Sequence, residues 1–248
     1  MRLGSDPEVF LQDKAGSPVS VIGYINADKW NPMQIPDMPE GYTLQEDNVA
    51  LEYGIPPAAD ADEFVEHIQS VMAKSLEYLP ELSFSKLSCI VFPEEQMKHP
   101  MAYVFGCEPD FNAWTKEMNP KPQPPHPLMR SAGGHVHVET KVDSIEGVRA
   151  MDLFLSVPAV LMDNGELRKQ LYGKAGAYRP KSYGFEYRTL SNFWVFDDKL
   201  IRWVWRNTER AMAAGDVSHE MERILEAVNN GNKKVAQDLI NDYNLEVV

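Results

Sequence analysis

Cysteine, positive charge and long apolar runs are all scarce in this chain, and each scarcity excludes something. Cys89 and Cys107 are the only two cysteines among 248 residues. They form no CxxC pair, which argues against a zinc knot or a disulfide scaffold and predicts reduced thiols in a cytoplasmic setting. Lys and Arg number 24 against 37 Asp and Glu, a formal charge of −13, so a broad basic face for nucleic acid is excluded. No apolar stretch approaches the roughly 18 residues of a membrane-spanning helix. The N-terminal "MRLGSDPEVF" carries no apolar signal core, which predicts neither a secretory signal nor a membrane association. Neither GxxxxGK[ST] nor GxGxxG occurs, so a nucleotide site here would be of neither P-loop nor Rossmann type. Internal repeats are lacking too.

What remains is ordinary globular material, with 44% apolar and 10% aromatic residues. It predicts a single domain over 1–248 with a sizeable core. "EVFLQDKAGSPVSVIG" reads as two strands about a turn, residues 26–46 as irregular, "NVALEYGI" as a strand and "SFSKLSCIVFP" as another. Asp60 and Glu63 make a capping box for a helix that carries an apolar stripe to Leu79. The segment 108–130 holds six prolines and reads as a long loop serving as a lid or binding loop. A helix over 144–163 should kink at Pro158. The part 197–248 reads as helices stopped at Gly215 and Gly231. Strands early and helices interspersed and late predict an α+β domain with a mainly antiparallel sheet.

The chemistry concentrates in a few short segments. "GGHVHV" sets His135 and His137 on the same side of a strand, because side chains alternate with period two. "GSDPE" does the same for Asp6 and Glu8, and "GFEYR" for Glu186 and Arg188. Asp47 and Glu52, five apart, would face oppositely on one regular strand, so one of them should lie in the approach loop or beyond a bulge. Taken singly, such pairs also fit a solvated strand face or a surface ion pair. Together on one sheet face they cannot be buried without partners. Carboxylates with one or two histidines make a hard, oxygen-rich site suited to Mg²⁺ or Mn²⁺. "ELRKQLYGKAGAYRPKSYGFEYRTL" adds Arg168, Lys169, Lys174, Arg179, Lys181 and Arg188. It fits either a basic surface loop or a clamp for nucleotide phosphates.

In this order, "GSDPE", "DNVALEYGIPP", "GGHVHV" and "YRPKSYGFEYRTL" resemble the phage-type COOH-NH2 ligase type 2 family. That family is an amidoligase branch of the glutamine synthetase and glutamate–cysteine ligase superfamily. The resemblance implies a curved, mainly antiparallel sheet of the glutamine synthetase catalytic-domain type, with helices on its outer face and a helical C-terminus. It implies ATP and two or three Mg²⁺ or Mn²⁺ ions as cofactors, with Asp6, Glu8, Glu52, His135 and Glu186 as metal ligands. His137, Arg179 and Arg188 take catalytic and phosphate-contacting roles in this reading, and Lys181 and Arg168 also border the nucleotide. Asp47 is left open as a ligand. Asp6 stands where glutamine synthetases tend to have Glu, the Asp47–Glu52 spacing is short, and the N-terminal β-grasp domain of glutamine synthetase is absent.

The activity implied is ATP-dependent joining of a small-molecule or peptide carboxylate to an amine through an acyl phosphate. It would take place in a bacterial host cytoplasm if the chain is phage-encoded. Phe111 and Trp114 are candidates to stack on adenine, and Asp110 or Glu108 to hold the amine. Two other readings share some of these residues: a phosphagen-type kinase, and a non-enzymatic acidic binding protein. A His-x-His hydrolase fits less well, since His67, His99, His126 and His219 show no ligand spacing. The substrates and the oligomeric state stay open.

Overall fold

The computed structural model describes residues 1–104 and 110–248, with Glu166 described in its backbone alone. In chain order the strands are β1 (Arg2–Ser5), β2 (Glu8–Gln12), β3 (Pro18–Val19), β4 (Met33–Gln34), β5 (Thr43–Asp47), β6 (Ala50–Gly54), β7 (Ser83–Ser85), β8 (Cys89–Val91), β9 (Phe111–Asn112), β10 (Met129–Ser131), β11 (Val136–Glu139), β12 (Ala177–Lys181) and β13 (Gly184–Tyr187). The α-helices are α1 (Ala61–Ser75), α2 (Ser144–Met151), α3 (Val157–Met162), α4 (Asp198–Ala213), α5 (Met221–Asn230) and α6 (Lys233–Tyr243).

The first strand is broken at Asp6-Pro7, because proline cannot donate to a ladder. The break sends its two halves into different antiparallel sheets. β1 enters the sheet ordered β1-β11-β13-β12-β9, while β2 enters the sheet ordered β3-β2-β6-β5-β4, with β7 also pairing to β2. Main-chain bonds bridge the seam: Ile55 N donates to Ser5 O at 3.2 Å, Tyr53 N to Pro7 O at 3.3 Å and Glu8 N to Gly133 O at 2.9 Å. The result is a curled antiparallel surface rather than the single sheet that the sequence pattern suggests.

Alternation on β13 divides the two faces. Phe185 and Tyr187 are buried in the apolar core, and Glu186 points to the opposite side. Helix α2 comes close to the apolar face at Gly147, where a Cβ would stand 2.7 Å from the Phe185 ring. Phe64 of α1 meets Trp205 of α4 at 5.8 Å between ring centroids and stacks on Trp194 at 5.9 Å. Trp194, Trp203, Tyr53 and Tyr187 are among the largest fully buried side chains. Burying each such ring is worth a few kcal/mol at about 25 cal/mol per Å².

Several local expectations hold. Asp60 caps α1 by accepting from Asp62 N and Glu63 N, and Glu63 Oε2 reaches back to Ala59 N at 2.5 Å. Gly231, at φ 63°, ends α5 in the left-handed conformation. Others are corrected. The segment 26–46 contains β4 and most of β5, whose "TLQED" lacks the β-branched run that marks a strand and is held by pairing along β6. "SFSKLSCIVFP" is two strands, β7 and β8, serving different partners. The basic segment includes β12, which tolerates Pro180 because its pairing to β9 covers Ala177 and Tyr178 only. Before Pro158 the helix winds into a π-turn over Asp152–Ser156, which absorbs the missing donor.

Candidate active site

The polar face of the curled sheet lines a cavity of about 420 Å³. Two acidic nests sit in it side by side. In the first, ligand-competent atoms of Asp6, His137 and Glu186 all lie within 4.8 Å of one another. The ladder explains why: His137 on β11 is the direct cross-strand partner of Glu186 on β13, and Arg179 on β12 is the partner on its other side. Asp6 arrives from the seam, with Oδ1 standing 3.0 Å from His137 Nε2. In the second nest, Glu8, Asp47 and Glu52 lie equally close.

Asp47 and Glu52 share a face without a bulge. They belong to two strands of one hairpin, with Asp47 opposite Ala50 and Gln45 opposite Glu52, turning at Asn48 with φ 59°. A spacing of five across a tight turn therefore brings together what a spacing of five along one strand would separate. Asp6 and Glu8 behave in the reverse way. Two apart in sequence, they separate at the seam, one into each nest.

The glycine pair before the histidines is explained by crowding. Gly133 N donates to Glu8 Oε2 at 2.7 Å, and a Cβ on Gly133 would stand 2.3 Å from His135 Nε2 and 2.8 Å from an Arg168 guanidinium nitrogen. A Cβ on Gly134 would meet Trp194 Nε1 at 2.3 Å. Only residues without side chains allow this approach.

The cations stand on the flank of the first nest. Lys181 Nζ lies 2.9 Å from Glu186 Oε2, Arg179 3.5 Å from Glu186 Oε1, and the Arg188 guanidinium is in contact with the same carboxylate. Arg188 also lies 3.2 Å from His135 Nδ1. Tyr183 OH bonds His137 Nδ1 at 2.7 Å, leaving Nε2 turned towards Asp6.

Electrostatics separate the nests. Burial pushes the Glu186 carboxyl up, as does Asp6, but Arg188, His135 and His137 outweigh them and hold it at about 2. Asp6 is likewise held well below the usual carboxylate range: burial raises it, and the neighbouring His137 and His135 more than compensate. In the second nest burial dominates and mutual repulsion adds to it. Glu8 rises to about 7 through burial and the Asp47 charge. Glu52 goes well above its ordinary value through burial and the charges of Asp6, Asp47 and Glu8. Burial, followed by the Arg188 charge, brings His135 down to about 4. Burial lowers His137, but its interactions with Asp6 and the Glu186 charge together overcome that and leave it raised.

Of the expected site residues, Asp6, Glu8, Glu52, His135, Glu186, Arg168, Arg179, Lys181 and Arg188 all border the cavity. His137 joins through the first nest, which it enters more closely than His135 does: His135 Nδ1 stays 3.6 Å from Asp6 and 3.8 Å from Glu186. Asp47, left open by sequence, lies in the second nest.

The expectation for Trp114 does not survive. Its ring is buried in the core and its Nε1 donates to Asp152 at 2.7 Å, so it is not free to stack on a ligand. Phe111 packs towards Tyr178 at 6.3 Å and is not among the cavity walls. The proline-rich segment does contribute Asp110, Met118, Asn119, Pro120, Lys121 and Pro122 to the walls. Glu108 and Cys107 lie outside the described residues. Sequence reasoning missed Gln45, Asn48, Tyr172 and the exposed pair Lys29 and Trp30, which also line the cavity. Gln45 was findable, since it sits two positions before Asp47 on the same strand. The others carried no signal.

The fold and site define a mixed α/β protein with a carboxylate-rich, cation-flanked cavity on a curled antiparallel sheet. Residues 126–239, somewhat under half of the chain, match the family described as phage phiEco32-like COOH.NH2 ligase-type 2. The match takes in His135, His137, Arg168, Arg179, Lys181, Glu186 and Arg188, while Asp6, Glu8, Asp47 and Glu52 come from outside it. No curated protein and no solved structure matches the chain. Among the described residues no helix is long and apolar enough to cross a membrane.

Proposed function

We propose that the chain is an ATP- and Mg²⁺-dependent ligase that forms an amide between a carboxylate and an amine through an acyl phosphate. The observation that carries this reading is the adjacency, in one cavity, of two acidic nests and a row of cations, Arg179, Lys181 and Arg188. The curled antiparallel sheet with its acidic face also supports kinship with the glutamine synthetase superfamily.

Divalent ions suit these residues. Asp6 Oδ1 and His137 Nε2 are buried, face each other at 3.0 Å and have no other partner, while Glu186 Oε2 beside them meets only the Lys181 amine. Glu8, Asp47 and Glu52 are three crowded carboxylates whose ligand atoms lie within 4.8 Å of one another. Hard oxygen donors with one imidazole fit Mg²⁺ or Mn²⁺. Asp6, His137 and Glu186 would hold one ion, Glu8, Asp47 and Glu52 another, with His135 beside the first. Such ions supply charge neutralisation at phosphate oxygens.

The chain's own residues do the rest by placement. Arg179, Arg188 and Lys181 sit where the equatorial oxygens of a transferring phosphoryl group need positive charge. A substrate carboxylate oxygen attacks the γ-phosphorus, the P–O bond to ADP breaks, and an acyl phosphate forms. The amine then attacks the acyl carbon and phosphate leaves with the C–O bond's electron pair. Residues 118–122 and Trp30 wall the cavity and restrict water, which would otherwise hydrolyse the acyl phosphate. The substrates fit the class of small-molecule or peptide carboxylates and amines. A supply of ATP places the reaction in the cytoplasm, that of a host if the gene is a phage's.

Hydroxylamine trapping tests the reading. Chain, ATP, Mg²⁺ and pools of amino acids and peptides should give ADP together with hydroxamate, both abolished in Glu186→Gln. ADP without hydroxamate in every pool would point to a kinase instead.

A further inference from the structure

Behind the candidate active site lies a second cavity of about 420 Å³, whose walls include Arg168, Lys169, Lys174, Asp163, Ser156 and Thr189. Arg168 is the one side chain that borders both cavities among their described walls. Its guanidinium passes through a window made by two glycines. A Cβ on Gly133 would stand 2.8 Å from one terminal nitrogen, and a Cβ on Gly173 only 1.9 Å from the other. The terminal nitrogens donate to Thr189 O at 3.0 Å and Arg188 O at 3.4 Å. The third nitrogen, Nε, is buried in a residue only 3% exposed and has no hydrogen-bond partner.

The rear cavity gathers three cations, Arg168, Lys169 and Lys174, against one carboxylate, Asp163, in a chain that is otherwise strongly acidic. Neither the Lys169 nor the Lys174 amine forms an ion pair or hydrogen bond with the described residues. The one carboxylate in the wall, Asp163, is committed by Oδ1 to Gly165 N at 2.7 Å. Burial and the Arg168 charge bring the Lys169 amine down to about 8, with Asp163 and Asp152 only partly restoring it. Three cations brought together against a single carboxylate are unfavourable unless an anion completes the cluster. Ser156 and Thr189 add hydroxyls to the same wall.

We propose that this rear cavity is a second binding site, specific for a small multivalent oxyanion of the phosphate class taken from solution and held by Arg168, Lys169 and Lys174. An oxyanion held there fixes Arg168 from behind, and so the guanidinium that borders the front cavity. The site stands apart from the ligase reading, since it uses neither acidic nest.

The test is calorimetric titration of inorganic phosphate into the full chain in EDTA, without nucleotide. Binding at the front cations Arg179, Lys181 and Arg188 is told apart by Lys181→Met, and binding at the rear site by Lys169→Met and Lys174→Gln. Saturable binding is expected, weakened about tenfold or more by Lys169→Met and by a smaller factor by Lys174→Gln, and unchanged by Lys181→Met in the front cavity. Lys174 is exposed, so its variant keeps the test valid should Lys169→Met fail to fold. Absence of saturable binding would overturn the proposal. So would binding that survives both rear substitutions, or that is lost with Lys181→Met.

Discussion

Glu8 and Gly133 are joined by two hydrogen bonds. Glu8 N donates to Gly133 O at 2.9 Å, and Gly133 N donates to Glu8 Oε2 at 2.7 Å. This double tie closes the seam between the two sheets and fixes a nest carboxylate at the same time. Gly133→Ala should break both functions, since its Cβ would collide with the His135 ring and the Arg168 guanidinium. The expected cost is about 1–3 kcal/mol of stability from overpacking, with loss of Mn²⁺ binding. Thermal unfolding with and without Mn²⁺ measures both, and an alanine variant of native stability that still binds the ion would refute the packing argument.

The second nest should show a conflict between stability and function. Glu52 is held above its ordinary value by burial and by the charges of Asp6, Asp47 and Glu8. Glu52→Gln removes a repulsive charge, so the metal-free protein should unfold at a higher temperature than wild type. The same change should weaken Mn²⁺ binding and abolish ligation. Differential scanning calorimetry in EDTA checks the first part. A lower melting temperature there would contradict the electrostatic account.

Tyr183 tests the orientation of His137. Its hydroxyl bonds Nδ1 at 2.7 Å, and the ring is 40% exposed. Tyr183→Phe should leave the melting temperature in EDTA almost unchanged while weakening Mn²⁺ affinity about 10–100-fold, the usual effect of removing a partner behind a metal ligand. Unchanged affinity would mean that His137 is not a ligand or is oriented otherwise.

Asp152 gives a pH signature away from the nests. It accepts from Trp114 Nε1 and Tyr187 OH, both at 2.7 Å, yet burial raises it from 3.8 to about 6. The folded state therefore holds this proton more tightly than the unfolded chain does. The contribution of Asp152 is greatest below its unfolded value and is lost as pH rises from 3.8 to about 6. Asp152→Asn cannot titrate, so stability of wild type minus variant should decline across that window and level off above it. Chemical denaturation at a series of pH values reads the difference directly, and a flat difference would count against the raised value.

The sequence made the ingredients of the site legible more than their arrangement. Alternation placed His137 with Glu186 and Arg188 on polar faces because β11 and β13 are regular strands. It could not show that Pro7 splits Asp6 from Glu8, since a two-residue spacing looks the same on one strand or across a seam. Asp47 and Glu52 were ambiguous for the opposite reason: "EDNVALE" hides a tight turn at Asn48, whose positive φ is no stronger a signal than asparagine itself. Trp114 looked like a ligand platform because it lies in a proline-rich segment. Its burial depends on Asp152, distant in sequence, and no local pattern records that pairing. Lys29 and Trp30 reach the cavity mouth only through the tertiary course of the loop before β4.

The most direct test of acyl-phosphate ligation follows oxygen. Carboxylate pools labelled with ¹⁸O are incubated with the chain, ATP, Mg²⁺ and amines, and the phosphate released is weighed by mass spectrometry. If the carboxylate attacks the γ-phosphorus and phosphate later leaves the acyl carbon, one carboxylate oxygen must depart with it. Labelled phosphate, absent with Glu186→Gln, is the predicted result. ADP release with wholly unlabelled phosphate, or label appearing in AMP, would contradict the mechanism.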